Sequence, residues 1–490
     1  NKVYDLEELP AGRRAIGCRY VFTVKHGPDG SVERYKARLV AKGFSQVEGV
    51  DFNETFAPVA KFSSIRALLA MASALNLDVQ QMDVKTAFLN GDLDEEIYME
   101  QPPGTVEPGK EHLVWRLRKA LYGLKQSPRM WYQKLEAMLN KHGFQRCEAD
   151  HSVFVRRNAT RGSVCIVAVY VDDMLLIGDP ADVATVKTAL ADSFEMKDLG
   201  AVHWLLGIEV KRTDDGFALS QSKYISEMLS RFRMENCHAV GTPMDVNARL
   251  TREMEPTTDA ERREMSSVPY RSAVGSLMYA MVGTRPDIAA AVGALSRFMQ
   301  NPGHAHWIAV KRVLRYLKGT LDWALHLGGD PAGGVRLHGY CDSDWAGDVD
   351  DRRSTTGFYF SLGSGSITWS SKRQATVALS STEAEYVAAS TAARELIWLR
   401  CLLAEVGLIQ TVPTVILGDN QGCIALTKNP VLHARSKHIE IHHHFIREQV
   451  AKGNAVLEYC NTGQMWADVL TKAVSRDKHN RCAEAMGLYA

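Results

Sequence analysis

The chain has no CxxC pair, no internal repeat, no low-complexity tract and no long apolar run. Each absence removes a class of protein. Its nine cysteines (Cys18, Cys147, Cys165, Cys237, Cys341, Cys401, Cys423, Cys460 and Cys482) are odd in number and scattered. That favours reduced thiols in a cytosolic or nuclear setting, and argues against a disulfide framework or a cysteine-rich zinc site. A membrane helix needs roughly 18 consecutive apolar residues, and no stretch approaches that length, so no membrane association is expected. The opening NKVYDLEELP is polar, without an initiator Met or a signal peptide, and reads as the start of a piece of a longer product. An excess of either charge is missing too: 58 Lys and Arg against 57 Asp and Glu leave +1. This is not the balance of a strongly basic nucleic-acid binder, although a large enzyme can confine its basic residues to one groove. Arg34, Lys36, Arg38 and Lys42 lie close together, as do Lys311, Arg312, Arg315 and Lys318. Either group could meet phosphates or form a solvated face.

What is present is ordinary globular composition, 46% apolar and 23% charged over 490 residues, enough for about three domains. Residues 16–45 read as a hairpin turning at Gly27-Pro28-Asp29-Gly30, with the basic residues on its returning strand. A helix follows at 62–75, then a strand at 77–83, then a helix capped by Ser127-Pro128 and closed by Gly143. Strands alternating with helices make residues 1–215 an α/β or α+β region. Residues 216–334 read as a helical domain with helices at 222–233, 270–300 and 304–318. It includes a polar linker or mobile loop at 242–268 and ends at Gly328, Gly329, Gly333 and Gly334. Residues 335–475 repeat a mixed α/β rhythm: strands at 335–341, 357–361 and 366–370, a long helix at 381–405, a strand at 413–418, a helix after 421, a strand at 455–460 and a last helix from 464. Residues 476–490 read as a C-terminal tail.

Two adjacent acids, Asp172 and Asp173, interrupt the apolar run CIVAVYVDDMLLI at the tip of a hairpin. Neighbouring anions walled by apolar strands repel each other and lose hydration, a cost that a hard divalent cation relieves. The plain alternative is a solvated Asp-Asp turn, which Met174 and Leu175, following at once, disfavour. Asp83 ends another strand and could complete a cluster able to hold two ions about 4 Å apart; alone it is weak evidence. A second set occurs downstream: Asp342 and Asp344 after a strand, Glu383 and Glu385 opening the long helix, Asp419 after a strand and Asp468 in the last helix. Scattered surface acids are the alternative there, weakened because Asp342 and Asp419 both close apolar strands.

The segments YKARLVAKGF, DVKTAFLNG, LYGLKQSPRMWY, YVDDML, LLGIEV, TRPDI, ALSSTEAEY, DNQ, KHIEIHHHFIRE and ADVLTK occur in the order, and over nearly the whole length, of the reverse transcriptase and ribonuclease H region of copia-type long-terminal-repeat retrotransposon Pol polyproteins, which the chain resembles. The resemblance implies a right-hand polymerase of fingers, palm and helical thumb, followed by a ribonuclease H-like mixed-sheet domain. It implies that Asp83, Asp172 and Asp173, with the Val84 carbonyl, hold two Mg²⁺ ions, with Mn²⁺ as a substitute. Phe88 would lie beneath the incoming sugar and reject a ribose 2′-OH. Lys36, Arg38 and Lys42 would meet the triphosphate, and Tyr122 and Lys125 would support template and nucleotide. Asp342, Glu385, Asp419 and Asp468 would hold two further ions. Asp342 is taken over Asp344 as the first acid after its strand, and Glu385 over Glu383 by the alignment of Glu-Tyr-Val-Ala-Ala. No His precedes Asp468 closely, which bears on product release rather than on metal binding. His433, His438, His442, His443 and His444 lack the Cys partners of a structural zinc site. The implied partners are an RNA template, a DNA or tRNA primer, the RNA–DNA hybrid and deoxynucleotides, with integrase and Gag of the same element and a dimer also in view. The implied setting is a cytoplasmic virus-like particle, or the nucleus. The rival readings are an inactive, domesticated nucleic-acid-binding relic, against which retention of all these acids argues, and a DNA-templated polymerase, against which the ribonuclease H region argues.

Overall fold

The computed structural model describes residues 2–26, 31–158, 162–328, 335–428 and 444–490. Two compact units emerge, Asn1–Ala60 with Gln80–Ala201, and Lys61–Val79 with Val202–Ala490.

In the first unit a six-stranded sheet runs in the order Met196–Ala201, Asp78–Val84, Asp173–Gly178, Ser163–Tyr170, Val153–Asn158, Gln145–Arg146. Strand alternation puts Met82 and Val84, Cys165, Val167 and Val169, and Met174 and Leu176 into one core. The helices Ser127–Lys141 and Pro180–Ser193 cover that core with Trp131, Leu135 and Leu139 and with Val183, Val186 and Leu190, at helical spacing. Ile166, Ala168, Leu175 and Ile177 point the other way and are also buried. The central hairpin is therefore apolar on both faces, and its sequence is a continuous apolar run rather than an alternation. Ser127 does not cap its helix as expected. Gln126 holds the cap position without a side-chain bond, and Ser127 Oγ donates back to the Leu121 carbonyl at 2.5 Å. The basic hairpin pairs Cys18–His26 with Val32–Ala41; its Gly27–Gly30 turn lies outside the described residues. A three-stranded sheet of Tyr4–Glu7, Val114–Lys119 and Asp92–Met99 completes the unit.

The second unit holds a five-stranded antiparallel sheet, a helical core and a mixed sheet. The first sheet runs Trp204–Leu205, Ile208–Thr213, Gly216–Ser220, Ala324–Gly328, Leu488–Tyr489. Helices Ser222–Arg231, Tyr270–Gly283, Ala289–Ser296 and His304–Gly319 bury Leu229, Leu277, Val292 and Leu314 against one another. The mixed sheet runs Ser366–Arg373, Thr355–Leu362, Leu337–Ser343, Thr414–Gly418, Ala455–Tyr459. Its first two pairings are antiparallel and its last two parallel, and the helix Ser381–Glu405 packs on its central strands.

Four expectations are corrected in this unit. Residues 242–268 include a helix, Asp259–Ser266, whose Thr258 and Glu261 form a capping box. The helix expected at 270–300 breaks after Gly283, because Pro286 cannot continue it and Arg285 turns inward. The helix expected from 464 is two short 3₁₀ turns, Thr462–Gln464 and Trp466–Leu470. Residues 476–490 are no tail: the helix Arg476–Ala485 and the strand Leu488–Tyr489 are built into the unit, with Cys482, Met486 and Leu488 buried. Gly329, Gly333, Gly334, His433, His438, His442 and His443 lie outside the described residues.

A buried ion pair ties that last helix to the helical core. Arg285 and Asp287 are wholly inaccessible and meet at 2.7 and 3.0 Å. Tyr316 donates its single hydroxyl proton to Asp287 at 2.6 Å, so His479 Nε2, 3.0 Å from the same oxygen, is the donor to Tyr316. Burial holds His479 down at about 4. Burial also opposes charge on Asp287, but the Arg285 pair prevails and keeps its pKa below the ordinary value. Both groups thus contribute stability above their unfolded pKa values and lose it as pH falls. Urea unfolding should show Asp287→Ala losing about 3–5 kcal/mol, because Arg285 is left buried and unpaired. Stability should decline as pH drops from roughly 6.5 toward 4, and His479→Gln should flatten that decline.

Candidate functional site

The hairpin of Ser163–Tyr170 and Asp173–Gly178 sets Asp173 opposite Tyr170, so Val171 and Asp172 make a two-residue turn. Val171 has φ +58°, a conformation that costs a β-branched residue on the order of 1–2 kcal/mol. Trp131 Nε1 holds this turn by donating to the Val171 carbonyl at 2.7 Å. The Val84 amide donates to the Asp172 carbonyl at 2.9 Å, lacing the Asp83 strand to the tip. The Val84 side chain is in the core, so only its backbone is available to a ligand. Gln81 and Asp83 face away from that core by alternation, as does Asp173, and Gln81 Nε2 donates to Asp173 at 3.2 Å.

Electrostatics records the crowding. Burial, then the neighbouring Asp172, raises Asp83 above the ordinary carboxylate range. Burial, then Asp172, with Asp83 adding, pushes Asp173 up to about 6. Lys197, directly across the sheet from Asp83, and Lys36 and Arg34 on the basic hairpin oppose the shift at Asp83. Lys36 and Arg38 share a strand face with Arg34. Arg38 lies 5.9 Å over the Tyr122 ring, which meets Phe88 at 4.6 Å. The loop carrying Tyr122 is fixed by backbone contact: Ala41 N donates to the Tyr122 carbonyl at 2.8 Å. A Cβ on Gly43 would fall 2.0 Å from the Gly123 carbonyl, and one on Gly123 (φ +95°) 2.1 Å from that of Ala41. Neither position accepts a side chain.

Two expected site residues make contacts with neighbouring loops. Lys42 lies one residue past its strand, against Gly17 and near Glu100. Lys125 sits 4.3 Å over the Phe52 ring, and its amide donates to Gln46 Oε1 at 2.8 Å. Both brace the loops behind Tyr122.

In the second unit the parallel strands Leu337–Ser343 and Thr414–Gly418 end on the same side of the mixed sheet, delivering Asp342 and Asp419 together. The helix Ser381–Glu405 adds Glu385. Ligand oxygens of Asp342, Glu385 and Asp419 all lie within 4.8 Å of one another, the one such trio among the described residues. Asp83, Asp172 and Asp173 do not converge that closely. Burial lifts Asp342 and Glu385 above the carboxylate range, and Asp342 and Asp419 lift Glu385 further. Gly357, opposite Asp342, leaves room for Thr471, whose hydroxyl donates to Asp342 at 2.5 Å. Asp344 accepts from the Thr355 amide, and Glu383 from that of Leu379 at 2.7 Å, and neither belongs to the trio. Asp468 is fully buried, and stands outside the trio in the grip of Lys472, at 2.5 Å, and Lys478. His444 meets Tyr386 at 3.1 Å. Sequence reasoning missed Gln81, Trp131, Lys197, Thr471, Lys472 and Lys478. Only Lys472, four residues after Asp468, had a local signal. Clustered carboxylate oxygens without sulfur or imidazole suit Mg²⁺ or Mn²⁺.

Residues 1–246 match the family described as reverse transcriptase (RNA-dependent DNA polymerase). The chain belongs to this family. Within it, the likeness runs end to end to retrovirus-related Pol polyproteins of copia-type plant transposons. The chain is 48% identical over 494 residues to that of transposon TNT 1-94 from Nicotiana tabacum, covering all of this chain and 37% of that protein. It is 43% identical to those of transposons RE1 and RE2 from Arabidopsis thaliana, again over the whole chain and 33% of each. The chain thus spans about a third of the length of these relatives.

Because Glu385 is held above its unfolded pKa, its contribution to stability is full at low pH and lost as pH rises. In EDTA at pH 8, Glu385→Gln should therefore raise the unfolding free energy by about 1–3 kcal/mol, a gain that fades toward pH 5. Urea melts at the two pH values check this.

Proposed function

We propose that the chain is an RNA-directed DNA polymerase joined to a ribonuclease H, copying retrotransposon RNA into DNA and degrading the RNA strand of the hybrid. In this reading residues 1–215 are fingers and palm, 216–334 thumb and connection, and 335–475 the ribonuclease H domain. Family membership supports the first activity. The trio of Asp342, Glu385 and Asp419 on a mixed sheet is the single observation that carries the second.

Asp83 and Asp172 would hold Mg²⁺ or Mn²⁺ at the polymerase site, with Asp173 beside them and the Val84 carbonyl assisting. Asp342, Glu385 and Asp419 would do so at the second site. Bound there, the ions would supply charge stabilisation for in-line displacement at phosphorus. The chain's own residues do the rest. Lys36 and Arg38 reach from the basic strand toward the triphosphate of an incoming deoxynucleotide. Phe88, backed by the Tyr122 ring, presents a flat face to the sugar, where a ribose 2′-OH would collide. Lys42 and Lys125 act indirectly, by holding the loops that carry these groups. An RNA template, a DNA or tRNA primer and the resulting hybrid are the partners, held by backbone and shape more than by sequence. A virus-like particle shared with Gag and integrase, in the cytoplasm or nucleus, is the setting this reading implies.

Primer extension on a labelled RNA template with Mg²⁺ tests both activities. Asp172→Asn should abolish extension while leaving hybrid cleavage. Asp342→Asn should abolish cleavage while leaving extension. Binding of primer–template without extension by the intact chain would instead favour the inactive relic. Phe88→Ala should raise ribonucleotide incorporation about 10- to 100-fold, measured by alkali-sensitive product.

A further inference from the structure

Lys472 occupies an unusual position beside the second carboxylate cluster. Its ammonium lies 2.5 Å from Asp468 and 3.5 Å from Asp342. Asp468 takes one lysine on each oxygen, Lys472 on Oδ1 and Lys478 on Oδ2. Lys478 pairs with Asp468 and donates a second proton to the Thr462 carbonyl at 2.8 Å. Two lysines on one buried carboxylate leave an excess positive charge, and Lys472 directs that excess at Asp342, one of the converging trio. A lysine ammonium is charged at neutral pH without help from its surroundings. The lysine follows Thr471, whose hydroxyl holds the other side of Asp342. The turn Trp466–Leu470 therefore brings Asp468 to the cluster together with its own counter-ion.

We propose that Lys472 is a positioning residue that reserves the space between Asp342 and Asp468, its ammonium competing there with a divalent ion. One ion binds readily on Asp342, Glu385 and Asp419, and a second enters only by displacing Lys472. The long, flexible lysine stem makes such displacement feasible, and its side chain is 42% exposed, leaving it a path outward. The inference rests on reading this cluster as the metal centre of the proposed ribonuclease H.

The test counts bound Mn²⁺ by electron paramagnetic resonance on the full-length chain, with Asp83→Asn in every sample to weaken the other site. Lys472→Met should bind one more ion per chain, or bind the second about tenfold more tightly or better, because a competing unit charge is gone. Lys472→Arg, which keeps the charge, should titrate like its parent. A Lys472→Met protein that titrates like its parent, or binds less metal, overturns the proposal. A second measurement needs no variant: acetylation of Lys472 in the unaltered chain, read by mass spectrometry, should rise several-fold in saturating Mn²⁺. Unchanged or reduced reactivity overturns the proposal. If no ion binds the cluster in any sample, the metal-centre reading falls with it. If one ion binds and Lys472→Met changes nothing, only the role of Lys472 falls.

Discussion

Carboxylates that the fold forces together, and only partly compensates, are the constraint on which the rest of this structure depends. A buried acid is tolerated when a cation or several donors face it. In the first unit Asp83 and Asp173 are both raised by burial and by Asp172, and the opposing charges of Lys197, Lys36 and Arg34 do not cancel the effect at Asp83. In the second unit Asp342 and Glu385 are raised in the same way. The Arg285–Asp287 pair is the instructive contrast. It is more deeply buried than Asp83 or Asp173, but with a guanidinium, a tyrosine hydroxyl and a histidine arranged around it the Asp287 pKa stays below the ordinary carboxylate value. Burial alone does not make a reactive acid; incomplete pairing does.

Each cluster is built by local rules that need no knowledge of function. A hairpin whose strands are apolar on both faces can place polar groups only at its tip, and Asp172 and Asp173 are there. Parallel neighbours in a sheet end on one side, so Asp342 and Asp419 arrive together. Glycine is required where backbones touch: Gly43 against Gly123 behind Tyr122, and Gly357 where Thr471 reaches Asp342. The strain at Val171 (φ +58°) is absorbed by the bond from Trp131, which itself sits in the core beneath the hairpin.

The strand ends and their acids were legible in the sequence because alternation and apolar runs are local signals. So was the long helix carrying Glu385. What was not legible depends on contacts far apart in the chain. The resemblance puts Lys42 and Lys125 among the site residues, and nothing in their local sequence shows that Lys42 lies against Gly17 and Lys125 over the Phe52 ring. Residues 476–490 look like a tail because the helix there is polar on most faces; its few buried positions are His479, Cys482 and Ala483, and His479 meets Tyr316 far away in the chain. Residues 242–268 look like linker because their short helix is held by a capping box rather than by an apolar stripe. Asp468 was expected among the converging acids, but it carries its own cations, and one of them lies closer to Asp342 than a solvated surface lysine would.

If the second cluster holds a divalent ion, as proposed, binding should displace protons that burial and crowding keep on Asp342 and Glu385 near neutral pH. Calorimetric titration of the full-length chain with Mg²⁺ at pH 6, repeated in buffers of different ionisation enthalpy, measures the protons released on binding. Net proton release is expected at pH 6, smaller at pH 8, and reduced by Glu385→Gln. A binding enthalpy that is the same in every buffer at pH 6 would contradict it.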